Sequence, residues 1–368
     1  MIIKKLAFSG FRNLNDDSIT PNENINVIWG NNAQGKTNLL EAIWLFTGGH
    51  SFRGNKDSEL PKIGGDGSAR LDAEFFSEMR DQKASLIIKD GRRSSVINGI
   101  VKKTGSALVG KICAVIFSPE HLLLVKDGPQ KRRTFIDGAI CQVKPAYTKL
   151  IAGYNRSLLQ RNTLLKDIFK HPELMDTMEV WDERLIVLGA QVIRERVKYI
   201  EKLAPRVAEI YKGISKDREK IELKYVASGL EGDLHQLSDP EIEDLLRNAL
   251  KKNRQADLRA GFTTVGPHRD DVDITLDGLS ARTYGSQGQQ RSVVLSLKLA
   301  EADILEENLG EAPLVLLDDV MSELDGSRQD YLLNHLSDRQ VFITCCSPET
   351  LNLMEKGKSI YVENGKVE

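Results

Sequence analysis

Residues Gly30 to Thr37, GNNAQGKT, carry two glycines, a lysine and a threonine in the spacing G-x-x-x-x-G-K-[ST]. Glycines at these positions let backbone N–H groups turn inward onto phosphate oxygens. The Lys36 ammonium can reach the β- and γ-phosphates of a nucleotide, and the Thr37 hydroxyl can ligate Mg²⁺. We therefore predict a phosphate-binding loop that contains Gly30, Asn31, Asn32, Ala33, Gln34, Gly35, Lys36 and Thr37.

The residues on either side of this loop have the pattern that such a loop requires. INVIW before it indicates a strand, and NLLEAIWLF after it indicates a helix with an apolar face. The N-terminus of that helix would add the positive end of its dipole to the phosphate site. The alternative, a glycine-rich turn without a ligand, leaves this strand and helix context unexplained.

Leu314 to Asp319, LVLLDD, is an aliphatic run that ends in two carboxylates. An apolar strand that ends in Asp beside a phosphate-binding loop holds Mg²⁺ in P-loop enzymes. We predict that Asp318 binds this metal through water, together with Thr37. Asp319 would polarise an attacking water, as a general base or through a hydrogen bond. Lys36, Asp318 and Asp319 are therefore the candidate catalytic residues. Taken without the loop, the same run also fits a strand that ends in an acidic turn.

A second helix begins with TYGSQGQQR, a concentrated set of small and amide residues. One Ser or Asp is enough to cap an ordinary helix. Ser286, the Gly288 backbone and Gln289 would present a second phosphate-binding surface at this helix start. Such a surface is useful if it covers the γ-phosphate from outside the first loop.

The remaining elements must position these motifs. Short strands are predicted at the N-terminus, followed by strands and tight turns from Arg70 to about Phe117, with hairpin signals at Asp90-Gly91 and Asn98-Gly99. Helical spacing dominates from about Val143 to Asn253, where Pro205 is expected to bend or break the longest helix.

Strands return after Arg259. DVDITLDGLSARTY is predicted to form a hairpin around Asp277-Gly278, and the last residues turn at Asn364-Gly365. APLVLLDDV and QVFITCC are apolar runs suited to a buried parallel sheet. The pattern indicates one α/β domain assembled from both ends of the chain, with a helical arm inserted between them.

Composition limits the classes of function. The chain has 368 residues with 40% hydrophobic and 28% charged residues, as in soluble globular proteins. A formal net charge of -2 means that any nucleic-acid contact must use local basic patches. No apolar run reaches the roughly 18–20 residues that span a bilayer. The absence of a signal-peptide pattern and the irregular spacing of four cysteines favour a cytoplasmic protein with reduced thiols and no membrane partner.

SQGQQR resembles the signature motif of ATP-binding-cassette (ABC) ATPases, which binds the nucleotide held on the partner subunit's P-loop. MSELD lies where that superfamily has its D-loop. Together with GFRNL, GNNAQGKTNLLEAI, SPEHLLLVKDGPQKRRTFID, WDERL, GPHRDD and LLDDVMSELD, these motifs resemble the RecF family of SMC-like ATPases, in order along essentially the whole chain.

The resemblance implies an α/β fold, an ABC-type P-loop ATPase head with an antiparallel β subdomain and an inserted helical arm. Residues 1–125 would form the N-terminal part of the head, with the P-loop and the β subdomain. Residues 126–260 would form the arm. Residues 261–368 would complete the head with the signature motif, the metal-binding strand and the D-loop.

The resemblance also implies a function. Two subunits would dimerise on ATP and Mg²⁺, bind DNA through its backbone, and hydrolyse ATP weakly with stimulation by DNA. Such a protein would help load recombinase at gapped or stalled-fork DNA together with RecO and RecR proteins. It would thereby support recombinational repair, replication restart and the SOS response.

Two other functions share part of this pattern. The ATPase subunit of an ABC transporter has both phosphate motifs, but the inserted arm and GPHRDD argue against it. A kinase or GTPase that uses the P-loop alone leaves SQGQQR unexplained.

Several positions stay open within this resemblance. Arg12 in GFRNL would either approach the phosphates or serve as a structural arginine. Asp319 replaces the Glu usual in transporter-type cassettes, which would slow hydrolysis. Thr344 and Cys345 occupy the region where cassettes often have a switch histidine. Candidates for the Q-loop glutamine are Gln130 and Gln142.

GPHRDD and two basic segments complete the candidates. A metal site of His268, Asp270, Asp271 and Asp273 is disfavoured because a strand would point alternate residues to opposite faces. His268 and Arg269 would instead orient the core or face the nucleotide. Two basic groups would suit the DNA backbone or simply be solvated, namely Lys126, Lys131, Arg132 and Arg133, and Arg247, Lys251, Lys252 and Arg254.

Overall fold

A computed structural model of the chain describes residues 1–54, 56–346 and 357–368. The chain divides into two compact units, one of Met1–His121 with Leu297–Glu368 and one of Leu122–Ser296. The strands are β1 (Ile2–Ser9), β2 (Asp17–Ile19), β3 (Ile25–Trp29), β4 (Ser68–Ser77), β5 (Arg80–Lys89), β6 (Arg92–Ile97), β7 (Ile100–Lys102), β8 (Ala114–Phe117), β9 (Ile221–Val226), β10 (Asp271–Leu276), β11 (Leu279–Ser280), β12 (Leu314–Leu317), β13 (Val341–Cys345), β14 (Gly357–Glu363) and β15 (Lys366–Val367). The α-helices are α1 (Lys36–Leu45), α2 (Leu123–Lys126), α3 (Pro129–Val143), α4 (Tyr147–Asp167), α5 (Met178–Ser215), α6 (Asp239–Ala260), α7 (Ala281–Tyr284), α8 (Gln287–Leu309) and α9 (Gly326–His335).

The first unit contains a largely parallel sheet in the order β15-β14-β3-β13-β12-β8. Strands β14, β3, β13, β12 and β8 run parallel to one another, and β15 pairs antiparallel with β14. All residues of β8, β12 and β13 are buried, as expected of strands covered on both faces. This sheet carries β3, which leads into the predicted phosphate loop, and β12, which leads into Asp318.

The same unit contains an antiparallel sheet in the order β2-β1-β4-β5-β6-β7. Alternate residues of β4 are buried, so one face of the sheet packs on the core with α1. The predicted hairpins at Asp90-Gly91 and Asn98-Gly99 are confirmed, with φ of 51° and 66° and of 48° and 82°. Positive φ at both central residues is typical of two-residue hairpin turns and favours this sequence pair.

The second unit combines helices α3 to α6 with a sheet in the order β11-β10-β9. Helix α6 begins with a capping box between Ser238 and Glu241 and ends at Gly261, which has a left-handed conformation. No α-helix within the described ranges is long and apolar enough to cross a membrane.

Three local predictions in this unit need correction in part. Strand β9 lies within the stretch predicted to be helical, because burial of Ile221 and Tyr225 on one face follows a period of two. Helix α5 is not broken at Pro205 and continues to Ser215, because burial of residues on both sides of the proline offsets one lost hydrogen bond. A bend at Pro205 stays a prediction. The hairpin at Asp277-Gly278 is confirmed, but residues 281–284 form α7 instead of continuing its second strand.

The compact units have boundaries that differ from those expected for head and arm. The second unit includes residues 261–296, because β10 pairs with β9 along its whole length. The functional division at 126–260 therefore stays a prediction.

Candidate functional site

The predicted phosphate loop connects β3 to α1 and is shaped by two close approaches. Gly30 has φ 148°, and a Cβ there would lie 2.2 Å from the Val362 carbonyl oxygen. Gly35 has φ 121°, and a Cβ there would lie 2.9 Å from the Asn13 Oδ1 atom. Only glycine fits both positions without moving its neighbours, so tertiary contacts support the glycine spacing read from the sequence.

Lys36 lies inside the loop with 4% of its side chain exposed. Its Nζ donates hydrogen bonds to the Gly30 and Asn31 carbonyl oxygens, at 2.8 and 2.9 Å. Buried ammonium groups need such partners to offset the loss of water. Phosphate oxygens would offer this ammonium stronger, charge-assisted hydrogen bonds.

Thr37 and Asp318 come together at the ends of α1 and β12. The Thr37 hydroxyl donates to Asp318 Oδ1 at 2.8 Å, and the Thr344 hydroxyl donates to the same oxygen at 2.9 Å. Burial raises the pKa of Asp318, and these two hydroxyls oppose the rise. The Asp319 N–H donates to Thr344 Oγ1 at 2.9 Å, so Thr344 orders both acidic positions.

The oxygen donors in this corner fit Mg²⁺. This ion usually takes one or two protein oxygens and completes its shell with substrate phosphates and water. Thr37 and Asp318 supply two such oxygens side by side. The described residues contain no group of three or more His, Cys, Asp or Glu side chains arranged for a metal. An Mg²⁺ ion that is bound mainly by phosphate does not require such a group of protein ligands.

Asn13 contacts the loop, and Asn38 and Arg53 continue from it as a chain of hydrogen bonds. The sequence did not predict these three positions. Asn13 Nδ2 donates to the Ala33 carbonyl at 3.3 Å, and Asn38 Nδ2 donates to Asn13 Oδ1 at 2.7 Å. Arg53 Nη1 donates to Asn38 Oδ1 at 2.8 Å, and its positive charge partly opposes the rise that burial causes in the pKa of Asp318. Asn13 belongs to GFRNL, so the motif did indicate a segment beside the loop. The prediction selected Arg12 from this motif, whereas Asn13 makes the contact.

The contacts of Arg12 support the structural one of its two predicted roles. Its guanidinium makes two hydrogen bonds to the fully buried Glu41, at 2.8 and 3.0 Å, and a third to the Glu59 carbonyl at 2.9 Å. Glu41 also accepts a short hydrogen bond from Ser51. Arg12 thus neutralises a buried carboxylate on α1 and supports the helix that follows the loop.

Among the described residues that follow β13, Cys346 reaches the loop. Its thiol lies 2.9 Å from Asn32 Oδ1 and 3.7 Å from Lys36 Nζ. Cys345 is buried, and Thr344 contacts Asp318 instead. Cys345 and Thr344 were the residues considered for the switch position. They lie one and two positions before Cys346, whose side chain contacts Lys36.

The predicted signature residues form the start of α8. The Ser286 N–H donates to Gln289 Oε1 at 2.7 Å, and the Gln289 N–H donates to Ser286 Oγ at 3.2 Å. This reciprocal pair is a capping box with glutamine at the third helical position. Ser286, Gly288 and Gln289 belong to the second unit, whereas the loop, Asp318 and Asp319 belong to the first.

GPHRDD forms a buried network within the second unit. His268 contacts the Tyr154 hydroxyl at 2.7 Å and the Thr263 carbonyl at 3.0 Å, and burial lowers its pKa to about 4. Asp270 accepts hydrogen bonds from the Tyr225 hydroxyl and the Ser228 N–H. The motif ties β9 and α4 to the segment before β10, so a core-orienting role accounts for His268.

The basic candidates separate into bound and exposed side chains. Arg132 is buried and makes two hydrogen bonds to Asp271, at 2.6 and 2.9 Å, and Arg133 donates to the Asp270 carbonyl. Arg247 pairs with Glu183 at the surface. The side chains exposed to solvent are Lys126, Lys131, Lys251 and Lys252. Gln130 and Gln142 both lie on α3, in the second unit.

The chain is similar to known proteins along its whole length. The sequence model of the RecF/RecN/SMC N-terminal domain family matches residues 2–368. A DNA replication and repair protein RecF of Agathobacter rectalis is 41% identical over 372 residues, covering 100% of this chain and 99% of the relative. The RecF of Acetivibrio thermocellus is 42% identical over 365 residues, covering 98% of each.

Solved structures give the same relationship. The recombination mediator protein RecF-ATP in the RecFOR pathway superposes with a TM-score of 0.92 at 38% identity, covering 100% of this chain and 97% of that chain. The Smc head domain of Pyrococcus furiosus superposes with a TM-score of 0.57 at 18% identity, covering 100% and 95%. The likeness to the Smc head domain supports the fold alone. Together, these comparisons confirm the predicted ATPase-head fold with an antiparallel β sheet.

Proposed function

Because the chain belongs to the RecF family of DNA replication and repair proteins, within the RecF/RecN/SMC N-terminal domain family, we propose that it is an ATP-dependent recombination mediator. It binds ATP, dimerises, engages DNA, and helps load recombinase at gapped or stalled-fork DNA. The alternative of a transporter ATPase subunit is not retained, because the relatives that match this chain over its full length include RecF proteins.

The observation that carries this proposal is the arrangement of Lys36, Thr37 and Asp318. An ammonium lies within the loop, and a hydroxyl and a carboxylate lie 2.8 Å apart beside it. This set can hold a nucleotide's phosphates together with the Mg²⁺ that Thr37 and Asp318 would bind. When bound, Mg²⁺ supplies positive charge that neutralises the phosphate oxygens. Similarity to RecF-ATP supports ATP as the nucleotide.

Dimerisation follows from the chemistry of the second motif. Ser286 is exposed at the N-terminus of α8, where the positive end of the helix dipole favours an anion. The phosphate loop of the same chain already surrounds the phosphates from one side. We propose that Ser286, Gly288 and Gln289 cover the ATP held on a second copy. ATP then acts as the ligand that stabilises the closed dimer.

Hydrolysis would reopen this dimer. Asp319 would accept a hydrogen bond from the attacking water and take its proton as the water oxygen bonds to the γ-phosphorus. The bond between the γ-phosphorus and the bridging oxygen then breaks, releasing ADP and phosphate. A short Asp side chain at this position is consistent with slow turnover.

DNA and two proteins are the proposed partners. The exposed lysines Lys126, Lys131, Lys251 and Lys252 can contact phosphates without reading sequence. RecO and RecR proteins are the proposed partners, since similar structures belong to the RecFOR pathway.

Sedimentation of the unaltered chain tests the proposal. We expect a monomer without nucleotide and a dimer with ATP and Mg²⁺ at micromolar concentration. Addition of gapped, duplex or single-stranded DNA should increase the dimer fraction, with an effect that weakens as salt rises. A chain that stays monomeric with ATP, with and without DNA, contradicts the mechanism.

Alkylation of Cys346 gives an independent test of the ATP site. Its exposed thiol lies 3.7 Å from Lys36 Nζ, so phosphates bound by Lys36 should block access to it. We expect ATP to slow iodoacetamide labelling of Cys346 at least about fivefold, as a bound ligand excludes the reagent in proportion to occupancy. Peptide mass spectrometry measures the rate, and the partly buried Cys141 serves as the internal control. Equal labelling of Cys346 with and without saturating ATP argues against phosphates at this loop.

A further inference from the structure

Glu219 connects the long helix α5 to the start of α8. The Gln289 Nε2 atom donates to Glu219 Oε1 at 2.8 Å. The Tyr211 hydroxyl, near the C-terminal end of α5, donates to Glu219 Oε2 at 2.6 Å. Tyr211 is 1% exposed, so its ring is fixed by packing, and one carboxylate joins it to the predicted signature motif.

The backbone around Glu219 is also constrained. Lys216 and Asp217, which follow α5, have φ of 56° and 58°. Two successive left-handed residues other than glycine cost free energy and persist where the surroundings require that path. On the other side, the Lys220 N–H donates to Asp277 Oδ1 at 2.9 Å, and the Asp277 N–H donates to the Lys220 carbonyl at 2.8 Å. Glu219 is therefore held from both directions.

The link fixes the orientation of the Gln289 amide. Its oxygen accepts from the Ser286 N–H at 2.7 Å, and its nitrogen donates to Glu219. A flipped amide would place oxygen against the carboxylate and nitrogen against an N–H group, losing both bonds. The state of Glu219 thus decides whether Gln289 can complete the cap that presents Ser286.

We propose that Glu219 is a positioning residue for the ATP half-site that acts on the partner copy. Through it, the end of α5 holds Gln289 and Ser286 in the geometry that receives phosphate. Movement of α5 would alter ATP-dependent closure without touching the nucleotide. This inference rests on the proposed ATP-dependent dimer. It adds that the end of α5, through Glu219, controls the signature motif at the start of α8.

Replacement of Glu219 by alanine tests the link. We expect Glu219→Ala to bind ATP on its own phosphate loop as the unaltered chain does, because that loop lies in the other unit. We expect its ATP-dependent dimerisation, measured by sedimentation, to weaken about tenfold, the effect of losing a charge-assisted hydrogen bond. Glu219→Gln, which can still bond both neighbours, should restore most of the dimer, and Tyr211→Phe should give an intermediate loss.

The matched control is Glu222→Ala, which removes an exposed carboxylate three residues away that pairs with Lys220. It should dimerise normally. Normal dimerisation of Glu219→Ala overturns the inference and leaves the proposed function intact. Failure of the unaltered chain to dimerise overturns both.

Mixing variants distinguishes action on the partner from action within one subunit. A Glu219→Ala chain has an intact phosphate loop, and a Lys36→Ala chain has an intact signature. In their mixed dimer, the phosphate loop of the Glu219→Ala chain meets the signature motif of the Lys36→Ala chain, and these two form one complete ATP site. We therefore expect the mixture to turn over more ATP than either variant alone. Turnover no greater than the sum of the two variants contradicts a role for Glu219 on the partner's ATP.

Discussion

Lys36→Ala is expected to lower affinity for ATP about a hundredfold, from loss of charge-assisted hydrogen bonds worth about 3 kcal/mol in total. The Lys36 ammonium lies at the centre of the loop, on the carbonyls of Gly30 and Asn31. A methyl group there leaves those carbonyls and the incoming phosphates without their shared cation. Titration calorimetry with ATP and Mg²⁺ measures the affinity, and sedimentation should show no ATP-dependent dimer.

A surface lysine provides the control for Lys36→Ala. Lys4 pairs with Asp81 at 2.6 Å, with 46% and 73% of the two side chains exposed, so Lys4→Ala should cost little and leave ATP affinity unchanged. Thermal unfolding without nucleotide checks that both variants are folded. If a folded Lys36→Ala variant binds ATP as tightly as the unaltered chain, the assignment of this loop as the ATP site is wrong.

Ser286→Arg is expected to abolish ATP-dependent dimerisation. ATP binding to the monomer should stay within about twofold of the unaltered affinity, because Ser286 belongs to the second unit and the phosphate loop to the first. Ser286 is exposed, and its hydroxyl and N–H both take part in the cap of α8. An arginine side chain there fills the space that a second copy's nucleotide would occupy. Sedimentation with ATP and calorimetry measure the two properties separately.

Ser286→Ala separates steric block from loss of the cap. Removal of the N-cap hydroxyl costs about 1 kcal/mol of helix stability, because the Gln289 N–H loses its acceptor. The alanine variant should therefore dimerise weakly, whereas the arginine variant should not dimerise at all. A Ser286→Arg chain that dimerises normally with ATP would show that SQGQQR lies away from the interface.

Arg12 and Cys346 illustrate where prediction from residue types reached its limit. GFRNL identified a segment near the loop, but Arg12 pairs with the buried Glu41, and Asn13 contacts the loop. Adjacent residues in an irregular segment point in different directions, and sequence does not specify which one faces a site. Cys346 contacts Lys36 although 310 positions separate them, so the contact depends on strand pairing.

The sequence by itself determined the elements whose conformation is local. Asp-Gly and Asn-Gly pairs indicated hairpins because few residue pairs tolerate positive φ at both positions. Apolar runs indicated buried parallel strands, and G-x-x-x-x-G-K-[ST] indicated a phosphate loop between strand and helix. These patterns depend on backbone geometry within a few residues.

Only the tertiary structure decided which of these elements meet. The pairing of β13 with β3 and with β12 brings Thr37 to 2.8 Å from Asp318, although 281 positions separate them. The same kind of long-range packing joins Glu219 to Gln289 and makes Arg132 structural rather than free for DNA. Sheet register and the burial of charged groups depend on the whole fold, because a carboxylate or guanidinium excluded from water must find its partner wherever the chain places one.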